Sequence, residues 1–188
     1  MAEEYLKQVT VGEVEAHGGP IRLCPYDPRW PEQFRREAGK IRAALGERAL
    51  AVEHVGSTSV PGLCAKPILD ILLLVADAGR ETDYVPALTA AGYALRIREP
   101  DWFQHRMLRG TDPAVNLHVF SAGCPEAARM LAFRDWLRAC REDRDRYADE
   151  KRRLAGRQWA YVQDYADAKT AVVGEILGRI RQAGLLPK

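Results

Sequence analysis

No run of about 18 uncharged apolar residues occurs in this 188-residue chain, so no transmembrane helix is expected. The opening residues Met1-Ala2-Glu3-Glu4-Tyr5 lack the basic and apolar regions of a secretory leader. Cysteine is sparse: Cys24, Cys64, Cys124 and Cys140 stand far apart and form no Cys-x-x-Cys pair. That spacing argues against a zinc knuckle or a disulfide framework and fits a reducing cytoplasm, the expected compartment. Excess charge is nearly absent as well. A formal net charge of +2 neither predicts nor excludes nucleic acid, and it does not describe a supercharged binder. There is no low-complexity tract and no long linker. What remains is an ordinary soluble composition, 47% hydrophobic and 29% charged, long enough to bury a real core.

Periodicity predicts the order of elements. Residues 1–20 are polar and glycine-rich towards their end, which predicts a loosely held N-terminal arm, and residues 21–23 read as a short strand. Trp30, Phe34, Ala38, Ile41 and Leu45 fall on one helical face, with Arg35, Arg36, Glu37 and Lys40 opposite and Gly46 as the stop. Residues 49–55 and 67–75 read as strands. The second is apolar at nearly every position except Asp70, the pattern of a central strand covered on both faces. A short helix over 82–91 follows, then strands over 93–98, 102–108 and 115–121, separated by Pro- and Gly-containing turns. From Pro125 the pattern becomes helical and closes on one amphipathic helix over 164–180. The class is α+β, with an α/β core over 21–123 and a helical subdomain over 124–188 packed on it.

The most specific stretch is residues 53–74. An apolar run delivers the chain into Gly56-Ser57-Thr58-Ser59, Lys66 follows, and Asp70 sits inside the next apolar run. Backbone N–H groups of a glycine turn approach an anion closely, and serine and threonine hydroxyls add donors. Lysine supplies a point charge suited to phosphate. A carboxylate in an apolar strand is costly unless it is paired or metal-bound. Together these residues read as a phosphate-handling site.

Residues Glu53 to Ile71 resemble the signature of the GrpB family, a branch of the nucleotidyltransferase superfamily. Further likeness lies in Tyr26-Asp27-Pro28-Arg29-Trp30-Pro31 with Phe34, in Asn116-Leu117-His118-Val119, in Phe133-Arg134-Asp135-Trp136-Leu137-Arg138, and in the segments Tyr147 to Lys151 and Tyr165 to Lys169. The resemblance implies a nucleotidyltransferase-like mixed sheet flanked by helices, with a C-terminal helical subdomain lining a nucleotide cleft. It also implies that a lysine of that subdomain meets the triphosphate, and Lys151 and Lys169, each one turn after a tyrosine, are the candidates. Superfamily enzymes usually carry two carboxylates, two residues apart, after the turn and a third on a later strand. Here only Asp70 matches, with Leu72 at the second position and His118 on the later strand.

The site expectations follow. Gly56, Ser57, Thr58, Ser59, Lys66, Arg106, Tyr147, Lys151 and Lys169 are expected at the nucleotide and its phosphates, and Ser57, Lys66, Asp70 and His118 at the reaction. A divalent metal, Mg²⁺ or Mn²⁺, is expected on Asp70, with His118 and His54 as further donors; the alternative is a metal-free site in which His118 is the base. His105 belongs to a strand near the same sheet. Residues 129–157 hold ten basic and six acidic side chains, a local excess of +4 that reads first as a solvated, ion-paired face. The expected partners are a nucleoside triphosphate and a small-molecule acceptor, with no membrane and no nucleic acid. The alternatives are a catalytically inert phosphate-binding module and, behind it, an RNA-binding accessory protein.

Overall fold

Five strands form one sheet: β1 (Ala51–Val55), β2 (Leu69–Val75), β3 (Ala94–Glu99), β4 (His105–Thr111) and β5 (Ala114–Ser121), in the order β1-β2-β5-β4-β3. The β2–β5 pair is parallel and the other pairs are antiparallel, so the sheet is mixed. Seven helices accompany it among the residues that this computed structural model describes, 2–16 and 18–187: α1 (Ala2–Val9), α2 (Trp30–Leu45), α3 (Val85–Ala90), α4 (Pro125–Ala139), α5 (Arg141–Ala155), α6 (Val162–Asp167) and α7 (Thr170–Gln182). The α+β class and the mixed, helix-flanked sheet are those expected. Among the described residues no helix is long and apolar enough to cross a membrane.

Strand alternation divides the sheet into two unlike faces. One carries Val52, Ile71, Leu73, Leu117 and Val119, buried against Trp30, Ile41 and Leu45 of α2 and Leu88 of α3. Burying each such large side chain contributes about 1.5–3 kcal/mol, which fixes the sheet on its helices. The other face is apolar only at one end, where Val55, Leu72 and Phe120 lie under Ala127 of α4. Its remainder carries Asp70, Asn116, His118, Met107 and Arg109 and faces a cleft. A third cluster joins Val60, Leu63 and Cys64 of the loop after β1 to Leu137, Tyr147, Val172, Ile176 and Ile180 of α4, α5 and α7. The helical subdomain thereby clamps the loop that follows the glycine turn.

Four local expectations are corrected. The N-terminal arm contains α1 and is tied to β3, through the Val11 N–H donating to Arg96 O at 2.8 Å and a Thr10–Ile97 bridge; its residues Met1 and His17 lie outside the described set. Residues 21–23 are not a strand, and the bridge forms one residue later, between Cys24 and Ala65. β4 begins at His105 rather than at 102 because Phe103 and Gln104 adopt left-handed conformations, φ 52° and 56°, in the β3–β4 turn. The single helix expected over 164–180 is two, α6 and α7. Thr170 Oγ1 donates to Asp167 O at 2.6 Å, and the break leaves Lys169 at the start of α7.

Candidate functional site

The glycine turn is built around one close approach. Gly56 has φ +67°, and a Cβ placed on it would lie 2.8 Å from the Asp70 Cβ. Only glycine lets β1 turn this tightly against β2. A 3-10 turn, Ser57–Ser59, follows, closed by the Ser59 N–H and hydroxyl, which both donate to Gly56 O at 3.2 and 2.6 Å. The Ser59 hydroxyl therefore serves the turn. Among the described residues no acceptor takes the backbone N–H of Ser57 or Thr58.

Ser57, Thr58, Lys66, Asp70, Lys151 and Lys169 line a cavity of about 110 Å³, together with Asn116 and Tyr165. Lys151 is buried; its Nζ donates to Cys64 O and lies 5.4 Å from the centre of the Tyr147 ring. Lys169 Nζ sits 4.6 Å, and Lys66 Nζ 6.0 Å, from the centre of the Tyr165 ring. Among the described residues none of the three lysines reaches a carboxylate within salt-bridge distance. Burial drives all three ammonium groups below the ordinary lysine range, Lys151 to about 7, although the Asp70 charge pulls each back up. Tyr147 is buried, and burial pushes its hydroxyl pKa up. The Tyr165 hydroxyl is buried and has no hydrogen-bond partner among the described residues.

Asp70 links this cavity to a larger one of about 400 Å³, which shares Lys66, Asp70 and Asn116. Burial alone would raise the Asp70 pKa. The neighbouring His118 ring, the hydrogen bond from Asn116 and the charge of Lys66 outweigh it and hold the carboxyl below its usual range. Asn116 Nδ2 donates to Asp70 Oδ1 at 3.1 Å, and His118 Nε2 stands 3.5 Å from the same oxygen. His118 Nδ1 is 3.1 Å from His105 Nε2, and His105 Nδ1 is 2.5 Å from Glu99 Oε2. A chain Glu99–His105–His118–Asp70 thus crosses the sheet through β3, β4, β5 and β2.

Proton counting gives this chain its chemistry. Its three gaps need one hydrogen each, and two neutral imidazoles supply two. Glu99 draws the His105 proton to Nδ1, so His105 Nε2 accepts from His118 Nδ1–H. The shortfall falls at the gap between His118 Nε2 and Asp70.

Gly56 and Tyr147 border a neighbouring pocket rather than the lysine-lined one, and two expected strand residues face away from the cleft. His54 was expected at a metal beside Asp70. Its strand partner is Ile71, whereas Val55 is paired with Asp70, so His54 points to the opposite face. There its ring stacks on Phe34, centroids 4.8 Å apart, and its Nε2 is 3.0 Å from Thr58 Oγ1. Burial lowers its pKa to about 4 and keeps the imidazole neutral. Arg106 was expected at a phosphate. It also faces away from the cleft, buried, with Nε 2.5 Å from Glu81 Oε1 and further bonds to the carbonyls of Gln104 and His105.

The donor set bears on the metal. Leu72 is fully buried beside Val55 and Phe120, and among the described residues no group of three or more His, Cys, Asp or Glu is arranged to hold a metal ion. A two-metal, three-carboxylate centre does not fit. A single Mg²⁺-like cation carried in on substrate phosphates needs only one or two carboxylates, and Asp70 meets that requirement. Tyr165, Asn116 and Glu99 join the site although the sequence expectations do not include them. The Tyr165–Lys169 repeat of the Tyr147–Lys151 pattern was the signal for the first, and strand alternation from His118 was the signal for Asn116.

The GrpB protein family model matches residues 20–179. A UPF0157 protein of Halalkalibacterium halodurans is 62% identical over 177 residues, covering 94% of this chain and 91% of that protein. The crystal structure of the conserved protein GrpB from Enterococcus faecalis superposes with a TM-score of 0.70 at 31% identity, covering 86% of this chain and 98% of that one. The Cid1 poly(U) polymerase, solved with Mg 3′-dATP bound, superposes with a TM-score of 0.50 at 11% identity over 81% of this chain and 46% of its own, a likeness of fold.

Proposed function

This chain belongs to the GrpB family and has a nucleotidyltransferase-like fold, and on that premise we propose that its lysine-lined cavity binds the phosphates of a nucleoside triphosphate and that a nucleotidyl or phosphoryl group passes to a small-molecule acceptor. The observation that carries the reading is that Lys66, Lys151 and Lys169 line one small cavity with a single carboxylate, Asp70, and with Tyr165, whose buried hydroxyl has no hydrogen-bond partner among the described residues. Desolvating three cations beside each other is unfavourable unless an anion joins them. The free amides of Ser57 and Thr58 add the donors that a phosphate oxygen accepts. The cavity has room for phosphates but not for a whole nucleotide; the adjoining cleft is in the size range of small-molecule sites.

Within this reading Lys66, Lys151 and Lys169 neutralise charge that grows on the phosphoryl oxygens. Asp70 would hold a divalent cation, Mg²⁺ or Mn²⁺, that arrives with the triphosphate and adds to that neutralisation. His118, its Nε2 beside Asp70, takes the proton of the acceptor hydroxyl, and His105 and Glu99 hold its ring in the right tautomer.

Calorimetric titration of the four common nucleoside triphosphates, with and without Mg²⁺, tests the proposal. Binding is expected, and Lys66→Met or Lys151→Met should weaken it about tenfold or more, the loss of a charge-assisted hydrogen bond. Absence of binding by all four under both conditions overturns the reading. The burial of Leu72 where a second carboxylate stands in related enzymes favours a second reading, a nucleotide-binding module without turnover. It predicts binding indifferent to Mg²⁺ and to Asp70→Asn, and no product with any acceptor.

A further inference from the structure

Strand β3 contains a bulge. Leu95 pairs with Leu108 and Ile97 with Met107, so Arg96 is the extra residue between two regular pairs. A bulge of this kind re-aims one side chain, and both Arg96 and Ile97 line the larger cavity. Arg109 reaches the same cavity by ordinary alternation from Met107. Two guanidinium groups are thereby brought together on the cleft face of strands that otherwise present His105, Met107 and Glu99 to it.

A carboxylate already sits between them. Glu15 Oε1 lies 3.1 Å from Arg96 and Glu15 Oε2 lies 2.8 Å from Arg109, one oxygen to each guanidinium. The contact is solvated: the Glu15 side chain is 64% exposed and Arg109 is 42% exposed. Exposed pairs of this sort are weak and are readily exchanged for another anion. Glu15 lies before the residues that the family model matches, whereas both arginines lie within them.

We propose that Arg96 and Arg109 are the acceptor's anion site, that they bind a carboxylate or phosphate group of that molecule, and that Glu15 occupies the site as an intramolecular stand-in until the acceptor displaces it. This rests on the reading that the lysine cavity takes the nucleotide. Arg109 stands across Asn116 from Asp70 in one row of paired residues, Asp70, Asn116 and Arg109. Two strand spacings of about 4.8 Å put the anion roughly 10 Å from the reacting end of the cleft. A small acidic molecule, its hydroxyl at His118 and its anion at the arginines, fits that span.

The test is an NMR titration of the whole chain, following the side-chain Nε–Hε signals of Arg96 and Arg109, assigned by Arg96→Lys and Arg109→Lys. Inorganic phosphate and succinate are the two probes, each taken to about 10 mM, where a Kd of about 1 mM is near saturation. Both signals should shift with at least one probe, and the tighter probe identifies the anion as phosphate or carboxylate. Glu15→Gln should tighten binding about two- to fivefold, the worth of a solvated ion pair. Arg109→Gln placed in the Glu15→Gln background should abolish the shift of the Arg96 signal. Unmoved arginine signals in Glu15→Gln with both probes overturn the proposal. A parallel ATP titration separates it from the nucleotide reading. If ATP fails to bind while phosphate or succinate moves the arginines, the nucleotide reading falls and the anion site stands. If ATP itself moves both arginine signals and competes with the probe, the pair belongs to the nucleotide and the acceptor assignment is overturned.

Discussion

At the scale of single residues, Lys151 shows how the site sets a charge. Its burial lowers the pKa to about 7, against 10.5 for a free lysine, so above neutrality it is largely uncharged in the empty site. A triphosphate beside it favours the ammonium form and moves the pKa back up. Between about pH 7 and 10 nucleotide binding must therefore take up protons, and at pH 8 the uptake should approach one per nucleotide. Calorimetry in buffers of different ionisation heats measures it. Uptake should fall in Lys151→Met, leaving at most the part that Lys66 and Lys169 contribute; no buffer dependence in the unsubstituted protein, or the same uptake in the variant, sinks the assignment. Ser57, Lys66 and Asp70 were legible because they lie within one short stretch, and the structure gathers them at one cavity with Lys151 and Lys169. His105 and Arg106 are neighbours on one strand, so both cannot face the cleft; alternation held that information, and Arg106 faces Glu81 instead. His54 was not readable in the same way, because its direction depends on the β1–β2 register, which pairs it with Ile71.

At the scale of elements, the turn between β1 and β2 is the part under tightest constraint. Two glycines in this loop have positive φ, Gly56 at +67° and Gly62 at +81°, yet a Cβ on Gly62 meets nothing within 4 Å while one on Gly56 runs into Asp70. Both alanine variants carry a positive-φ backbone cost, about 1 kcal/mol or more, and Gly56, with ψ −172°, lies in a region essentially reserved for glycine. Only Gly56→Ala adds the collision, so it should cost about 2–4 kcal/mol in urea unfolding and weaken nucleotide binding as Asp70 is pushed aside. Gly62→Ala should lose about 1 kcal/mol and leave binding intact. Equal losses in the two variants would show that the Gly56–Asp70 approach has no special role. Helix and strand order were legible from periodicity, since α2 and β2 each bury a regular pattern of side chains. The bulge at Arg96 and the break before Lys169 were not. The bulge is decided by the paired strand β4, and the break by a single side-chain bond, Thr170 Oγ1 to Asp167 O, and neither stands out in the hydrophobic periodicity.

At the scale of the whole molecule, the question is whether the sheet and the helical subdomain behave as one body. The sheet's cleft face is closed at one end by α4, through Val55, Leu72, Phe120 and Ala127. The loop after the glycine turn gives Val60, Leu63 and Cys64 to a cluster whose other members belong to α4, α5 and α7. Removing the helices would expose both clusters at once, and at about 1.5–3 kcal/mol for each large side chain the loss exceeds the whole stability of an ordinary domain. Residues 1–123 alone are therefore expected not to fold, and the full chain should unfold in one step. The cavity is shared in the same way: Lys66 and Asp70 come from the sheet side, Lys151, Tyr165 and Lys169 from the helices. A ligand that binds only the assembled site stabilises both parts together, by about 2.7 kcal/mol at a hundred times its Kd. Thermal unfolding followed by circular dichroism at helical wavelengths and by tryptophan fluorescence, Trp30 and Trp102 on the sheet side and Trp136 and Trp159 in the subdomain, should give coincident midpoints that ATP raises equally. Midpoints that separate, or a shift confined to one probe, would mean that the two parts fold independently and that the cavity between them is not one site.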